Sequence, residues 1–156
     1  MQTMTAKRME NPVMFLPETM KAMPHLIGAM RAGGLSEELG ELVSLRASQI
    51  NGCAACVYGH IYKLRQLGTS DDRIDTVAVW RHSPYFSEKE QAALALTESA
   101  TRMADSSEEP VSDATWERAR DYFDETELAA LILQIGLINF FNRINVTIQE
   151  PAGSTW

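Results

Sequence analysis

Apolar residues recur along this chain at intervals of three and four positions, and runs in which apolar and polar residues alternate are nearly absent. The first pattern is typical of amphipathic helices, whose buried side chains return to one face about every 3.6 residues. Residues that cap or break helices divide the pattern into seven segments. The sequence therefore predicts an all-α fold of about seven helices.

The first four predicted helices lie in the first half of the chain. Ser36 caps the second helix, and the Asn51-Gly52 pair separates the second helix from the third. Residues 77–80 are also apolar enough to form a short strand, which is the alternative for the end of the fourth helix. The predicted bounds are 17–31, 37–50, 53–67 and 69–80.

Three more helices are predicted in the second half, at 87–104, 113–123 and 124–146. The pairs Ser87 with Glu90 and Asp124 with Glu127 have the spacing of a capping box. The last helix contains the uncharged stretch 128–142, which is shorter than the roughly 20 residues that a membrane span needs. We expect it to be a buried helix of the core, and we expect residues 149–156 to form a frayed end.

The chain of 156 residues predicts one domain, 1–156, because domains commonly hold about 100–200 residues. Its 14 basic and 21 acidic residues give a net charge of −7, with no run of Lys and Arg. Nucleic acid and anionic membranes are therefore excluded as expected partners. Lys7, Arg8 and Glu10 interrupt the segment where a secretory signal needs an apolar core, so the expected location is cytoplasmic.

Methionine is concentrated near the N-terminus, where seven of the eight methionines lie in the first thirty residues. Met20, Met23 and Met30 predict either adaptable packing of the first helix or an interface between subunits. The methionines of the first helix and the uncharged stretch of the last helix together provide more apolar surface than one small core can bury. We therefore expect a homo-oligomer.

Three reactive side chains, Cys53, Cys56 and His60, are spaced so that they share one face of the third helix. The start of a helix favours a thiolate over a thiol, and His60 is one turn beyond Cys56 and can exchange a proton with it. A thiolate attacks a peroxide or a disulfide, and a neighbouring thiol resolves the product. The pair predicts a two-electron redox centre that needs no cofactor.

Two other interpretations of these residues remain open. Both cysteines can be small buried hydrophobic residues. Alternatively, Cys53, Cys56, His60 and Glu41 are four residues whose side chains zinc accepts, although three ligands on one regular helix fit a tetrahedral site poorly. A second cysteine pair, which many zinc sites use, is absent from the sequence.

Glu41, eleven intervening residues and then Cys53-x-x-Cys56-x-x-x-His60 resemble the signature of the alkylhydroperoxidase AhpD family, in the carboxymuconolactone decarboxylase-like superfamily. The resemblance extends to WRHSPYFS at 80–87 and FFNR at 140–143, so it covers most of the chain. The spacing of the four residues is more specific than an isolated Cys-x-x-Cys.

The resemblance implies an all-helical trimer or hexamer that reduces hydroperoxides, with a lipoyl protein or a thioredoxin-like protein as the dithiol reductant. Cys56 would attack the peroxide, and Cys53 would be the more exposed, resolving cysteine. Glu41 and His60 would form the proton relay. This chain differs from the best-studied members in having Ala55 where a histidine stands between the cysteines.

A second hypothesis is a helical oligomer whose dithiol senses redox state or holds a metal without turnover. A lyase activity like that of the decarboxylases comes third, because those relatives do not depend on a redox cysteine pair. Outside the cysteine motif, Asn139 and Asn142 lie in the apolar last helix, and we expect both to have structural roles with buried hydrogen-bond partners.

Overall fold

The computed structural model describes residues 6–154 of the chain. Within that range the fold is all-α, as predicted, with seven α-helices, three short 3-10 helices and no strand. The α-helices are α1 (Pro17–Arg31), α2 (Glu37–Asn51), α3 (Ala54–Gln66), α4 (Asp71–Thr76), α5 (Glu88–Thr101), α6 (Asp113–Tyr122) and α7 (Glu125–Ile148). The 3-10 helices are Pro12–Phe15, Val77–His82 and Met103–Asp105.

Side-chain caps begin several of these helices where the sequence predicts them. The hydroxyl of Ser36 accepts the Leu39 amide at 3.1 Å and starts α2. Complete capping boxes start α5 at Ser87 and α7 at Asp124. Helix α2 ends at Gly52, whose φ of 68° is the left-handed conformation that glycine adopts without strain.

The predicted fourth helix is wrong in its second half. Helix α4 ends at Thr76, the chain continues as the 3-10 helix Val77–His82, and the strand alternative is also wrong. Val79 leaves the helical conformation with φ −121°, and its side chain is exposed. The tighter turn keeps Val77 and Trp80, three residues apart, buried on the same side. Both side chains pack in one apolar cluster with residues of α2 and α5, a tertiary contact that local helix propensity does not include.

Helix α2 lies at the centre of the fold, packed against α3, α5 and α7. Its Leu42, Val43 and Leu45 are fully buried. One apolar cluster joins α2 to α5, α6 and α7, and a second joins α2 to α3, α4 and the 3-10 helix that follows. A residue on α2 is therefore held firmly against both α3 and α7, which carry the groups of the candidate site.

Helix α7 is longer and less buried than expected. It runs to Ile148 and buries one face, while Ile132, Leu133, Phe140 and Val146 are exposed on the remainder. By length and composition alone it could cross a membrane, with a mean hydropathy of 1.3 over its most apolar window. A helix that packs one side on a core meets the same criteria, so this feature assigns no membrane role.

The N-terminal and C-terminal segments hold each other at the end of α7. The Arg8 amide donates to the Ile148 carbonyl at 2.8 Å, and Lys7 and Glu150 form an ion pair at 3.6 Å. The Glu150 amide donates to the Asn145 carbonyl at 2.9 Å. The expectation of a frayed end is therefore wrong for residues 149–150. It stays a prediction for residues 151–154, and residues 155–156 lie outside the described part.

A carboxylate that is largely, though not fully, buried connects α5 to α2 and to the 3-10 helix after α4. Glu98 on α5 accepts hydrogen bonds from Arg46 at 2.8 Å, from the Trp80 indole at 3.0 Å and from Arg81. Burial opposes ionisation of this carboxyl, but the hydrogen bonds from Arg81, Arg46 and Trp80 outweigh it and lower its pKa. The folded state therefore favours the ionised form of Glu98.

We predict that Glu98→Gln lowers the free energy of unfolding by about 1–2 kcal/mol at neutral pH, because charged hydrogen bonds are lost. A depressed pKa contributes stability above the ordinary value of 4.5, and that contribution disappears as the pH falls through the folded-state pKa. The difference between variant and wild type should therefore shrink in acid, as measured by urea unfolding across the pH range.

Glu88→Gln is the matched control, because Glu88 lies on the same helix in an exposed ion pair with Arg118 at 2.9 Å. Exposed pairs contribute little, so its effect should stay within about 0.5 kcal/mol. An equal loss in both variants would contradict a special role for Glu98.

Candidate functional site

The two cysteines stand at the start of α3 and are joined by a disulfide. Cys53 is the N-cap residue of α3 and Cys56 lies in its first turn, with the sulfur atoms 2.15 Å apart. The Cys53 sulfur also accepts the backbone amide of Cys56 at 3.3 Å, which is the role of an N-cap side chain. The spacing of three residues thus brings both sulfurs to one place, as the sequence predicts.

The expected difference in exposure between the cysteines is wrong in this disulfide form. Cys53 is 1% exposed and Cys56 is 4% exposed, so Cys53 is not the more accessible residue. The cause is the N-cap geometry, which folds the Cys53 side chain back over the first turn of α3. Both cysteines are therefore buried in the disulfide form.

Glu41 on α2 and His60 on α3 form a hydrogen-bonded pair. The His60 Nδ1 and the Glu41 Oε2 are 2.6 Å apart, and each side chain is about four-fifths buried, with exposures of 22% and 21%. When the carboxylate is ionised, Nδ1 carries the proton of this bond, and Nε2 is left to accept or release another. The two members of the expected proton relay are therefore in direct contact.

A cavity of about 570 Å³ brings this pair together with Cys56. Its wall is mainly apolar and comes from α1, α2, α3, α7 and the turn between α1 and α2. The polar groups of Glu41, His60, Ser44 and Gln134 also face it, with Gln134 donating to Ser44 at 2.7 Å. The remaining lining residues are Ile27, Met30, Arg31, Leu35, Ser36, Glu37, Gly40, Gly59, Lys63, Ala130, Leu137, Ile138 and Phe141.

Cys53 borders a different, shallow depression. This depression is lined by Gln49, Gly52, Cys53, Ala54, Val57, Tyr58, Ile61 and Ala152 and shares no residue with the cavity at Cys56. The exposed ring of Tyr58 stands beside it. The two ends of the disulfide therefore belong to separate openings of the molecule.

Asparagines on α7 surround the site with buried hydrogen bonds. Asn51 donates to the side-chain oxygens of Asn139 and Asn142, each at 2.9 Å, and Asn142 donates to Ser48 at 3.0 Å. The expected structural partners of Asn139 and Asn142 are confirmed. A third member, Asn145, donates from Nδ2 to the Cys56 sulfur at 3.2 Å.

Asn145 is the residue of the site that the sequence analysis missed. A signal was present, since asparagines recur every three residues at 139, 142 and 145 in a mainly apolar helix. That period identifies one buried polar stripe, but it does not say which stripe of another helix it meets. His25 and His82 are exposed and stand apart from this constellation.

The four residues considered as zinc ligands do not form a metal site in this disulfide form, since the two sulfurs are bonded to each other. Between residues 6 and 154, no group of three or more His, Cys, Asp or Glu side chains is arranged to hold a metal ion. The arrangement that is present is a disulfide next to a histidine–carboxylate pair.

Comparison with known proteins places this arrangement in a family. The sequence model of the carboxymuconolactone decarboxylase family matches residues 17–99, which include Glu41, both cysteines and His60. The chain belongs to the carboxymuconolactone decarboxylase family. Since that family contains decarboxylases as well as AhpD-like proteins, membership alone does not identify the reaction.

The similar proteins point to the AhpD-like branch of the family. The uncharacterized protein YdfG of Bacillus subtilis (strain 168) is 33% identical over 138 residues, which are 88% of this chain and 92% of YdfG. The crystal structure of a protein of unknown function from Agrobacterium tumefaciens, described as a candidate antioxidant defence protein AhpD, matches with a TM-score of 0.85. It is 34% identical and covers 96% of this chain and 99% of its own.

A more distant structure supports the fold alone. An uncharacterized peroxidase-related protein from Ralstonia eutropha JMP134, described as an alkylhydroperoxidase AhpD core, matches with a TM-score of 0.73 at 21% identity. The match covers 88% of this chain and 72% of that protein. The family model and the Agrobacterium tumefaciens structure together confirm the resemblance to the AhpD family that the cysteine motif suggested.

Proposed function

We propose that this protein reduces hydroperoxides through Cys53 and Cys56 and is re-reduced by a dithiol. The observation that supports this most directly is the position of Cys56, which lines a largely apolar cavity together with the hydrogen-bonded pair of His60 and Glu41. A thiol, a group for proton exchange and room for an organic molecule meet at one point. These are the requirements of a thiol peroxidase.

In the first step, the Cys56 thiolate attacks the outer oxygen of a hydroperoxide. The O–O bond breaks, an S–O bond forms, and the alkoxide leaves as an alcohol after receiving a proton from the His60–Glu41 pair. Cys56 is then a sulfenic acid. In the second step the Cys53 sulfur attacks the Cys56 sulfur, the hydroxyl leaves as water, and the disulfide of this structure forms.

In the third step, a dithiol returns the protein to its reduced form. One thiolate of the reductant attacks the Cys53 sulfur from the shallow depression, and Cys56 leaves as a thiolate. The second thiol of the reductant then breaks the mixed disulfide and releases Cys53. A lipoyl protein or a thioredoxin-like protein has the chemistry for this step, and a cytoplasmic location would keep such dithiols reduced.

The cavity favours an organic hydroperoxide over hydrogen peroxide. Its volume of about 570 Å³ and its mainly apolar wall provide far more space than a two-oxygen molecule fills. An apolar chain bound there would displace water and place the peroxide group at Cys56. We therefore expect a lower KM for an organic hydroperoxide than for hydrogen peroxide.

Peroxide should convert the two thiols into one internal disulfide, and repeated turnover with a dithiol separates an enzyme from a redox sensor that oxidises only once. Cys53→Ser should react once and stop as a sulfenic acid at Cys56, because the resolving thiol is missing. Cys56→Ser should react at the slow rate of an ordinary thiol. Dimedone labelling followed by peptide mass spectrometry locates the sulfenic acid in each variant.

Two results would oppose these roles. One is a sulfenic acid that forms at Cys53 in the Cys56→Ser protein as fast as at Cys56 in the other variant. The other is a disulfide-linked dimer, seen on a non-reducing gel, in place of an internal disulfide. Oxidation of the wild type without turnover would instead favour the redox-sensing hypothesis.

Substitution of the His60–Glu41 pair should slow the chemical step. If the pair transfers protons, Glu41→Gln and His60→Phe should each slow peroxide oxidation of the thiols by a factor on the order of 10² or more. Stopped-flow measurement of the reduced protein with excess peroxide gives this rate directly.

Glu38→Gln and His82→Phe are the matched controls for these variants. Glu38 lies on α2 one turn before Glu41 and bonds to Thr69 at 2.7 Å, and His82 is exposed in a 3-10 helix. Neither residue lines the cavity. If peroxide oxidises the thiols at the same rate in all four variants, Glu41 and His60 have structural roles and do not transfer protons.

We also propose that copies of this chain associate through apolar surface of α1 and α7. Phe15 and Leu16 just before α1 are 62% and 63% exposed, and Leu133 on α7 is 51% exposed. Water-exposed apolar side chains grouped on helices are typical of subunit interfaces. A trimer or a hexamer is the assembly that the family resemblance implies.

Light scattering at micromolar concentration should therefore give a multiple of the mass of one chain. Leu133→Glu places a charge in the proposed interface and should shift the protein toward lower mass, because a buried charge without a partner destabilises association. The exposed substitution Glu117→Gln on α6 is a control that should not change the mass. A wild-type protein with the mass of a single chain would refute the association.

A further inference from the structure

Asn145 makes a contact that its neighbours on α7 do not make. It lies in the last turns of the helix, is 1% exposed, and donates from Nδ2 to the Cys56 sulfur at 3.2 Å. Its side-chain oxygen, Oδ1, is buried and has no hydrogen-bond partner among residues 6–154. A buried acceptor without a partner destabilises the fold, and few native side chains leave one.

The other two asparagines of the stripe show that this arrangement is unusual. Asn142 uses both ends of its amide, accepting from Asn51 and donating to Ser48, and Asn139 also donates and accepts. These contacts explain why amides stand at those two positions. At position 145, packing alone would favour an apolar residue of similar size. What asparagine provides and an apolar residue does not is the hydrogen bond to the Cys56 sulfur.

The Cys56 sulfur differs from the Cys53 sulfur in its source of hydrogen bonds. The Cys53 sulfur accepts a hydrogen bond from the backbone amide of Cys56, in the first turn of α3. The Cys56 sulfur accepts a hydrogen bond from the side-chain amide of Asn145, while the Nδ1 of His60 is hydrogen-bonded to Glu41. A disulfide sulfur is a weak acceptor, but a thiolate carries a full charge and accepts a much stronger hydrogen bond.

We propose that Asn145 is a further catalytic residue, whose side-chain amide stabilises the Cys56 thiolate after the disulfide is reduced. The amide is fixed on a rigid helix before the charge forms, so little reorganisation is needed when Cys56 ionises. The same contact makes Cys56 a better leaving group when the reductant attacks Cys53. The inference rests on the proposed function in taking Cys56 as the attacking thiol.

The test measures the ionisation of Cys56 without any peroxide. In the full-length Cys53→Ser protein, where serine keeps an N-cap side chain, the rate of alkylation by iodoacetamide is followed against pH. Asn145→Leu removes the donor with little change of size, and it should raise the pH midpoint by about one unit or more. Asn145→Asp keeps the shape but faces the sulfur with a carboxylate, and it should raise the midpoint further.

Thr97→Val is the matched control, since Thr97 is fully buried on α5 and its hydroxyl donates to the Ala93 carbonyl of its own helix instead of to a sulfur. It should lower thermal stability and leave the midpoint unchanged. The ionisable groups that line the cavity with Cys56 are the same in every variant: Arg31, Glu37, Glu41, His60 and Lys63.

A second readout uses the wild-type cysteine pair in equilibrium with dithiothreitol at neutral pH. Without the Asn145 donor the reduced form is less stable, so Asn145→Leu should shift the equilibrium toward the disulfide, and Thr97→Val should not. If Asn145→Leu does not fold, Asn145→Asp takes its place in this equilibrium, because aspartate has nearly the same shape as asparagine.

Midpoints that stay unchanged in both Asn145 variants would overturn the proposal, as would an equal rise in Thr97→Val. These outcomes are independent of the proposed function. A wild-type protein that fails to turn over peroxide, yet shows the shift in midpoint, would leave Asn145 as the donor to Cys56 while removing the peroxidase reaction.

Discussion

The buried hydrogen bonds between α2 and α7 set the relative position of the two helices on which the site depends. Asn51 binds the side chains of both Asn139 and Asn142, and Asn142 binds Ser48. Apolar side chains alone tolerate alternative alignments of two helices, whereas buried amides lose their partners when the alignment changes. Because α3 follows α2 after one tight turn, this alignment also determines what α7 presents to the cysteines.

The turn at Gly52 does the second part of this positioning. Its left-handed conformation ends α2 and lets Cys53 act at once as the N-cap of α3. The chain then folds back along α2, so that His60 meets Glu41 although the two residues are 19 positions apart. One short connection thus creates both the disulfide geometry and the histidine–carboxylate pair.

The chemistry of the site follows from what surrounds the two sulfurs. Most of the cavity wall at Cys56 is apolar, and Glu41 and His60 are each about four-fifths buried there, so water competes less for the hydrogen bond between them. Cys53 belongs to a separate depression, so the two cysteines face different parts of the molecular surface. Since one fold can serve several reactions, this local arrangement, more than family membership, argues for thiol chemistry.

Sequence alone determined the all-α class, the caps at Ser36, Ser87 and Asp124, and the chemical nature of the motif from Glu41 to His60. These features depend on residues that are close in the chain, where helical periodicity and capping rules apply directly. Even the contact of Glu41 with His60 was predictable, but only through the spacing of a known family. The 3-10 helix after Thr76 could not be predicted, because Val77 and Trp80 pack in a cluster with other helices, and local helix preference does not include such contacts.

Tertiary structure decided the rest: that Cys53 is buried, that one face of α7 stays exposed, and that Asn145 touches the Cys56 sulfur. Each of these depends on which helix faces meet and at what alignment. A periodic pattern identifies a face of one helix, but it carries no information about the distant segment that covers that face.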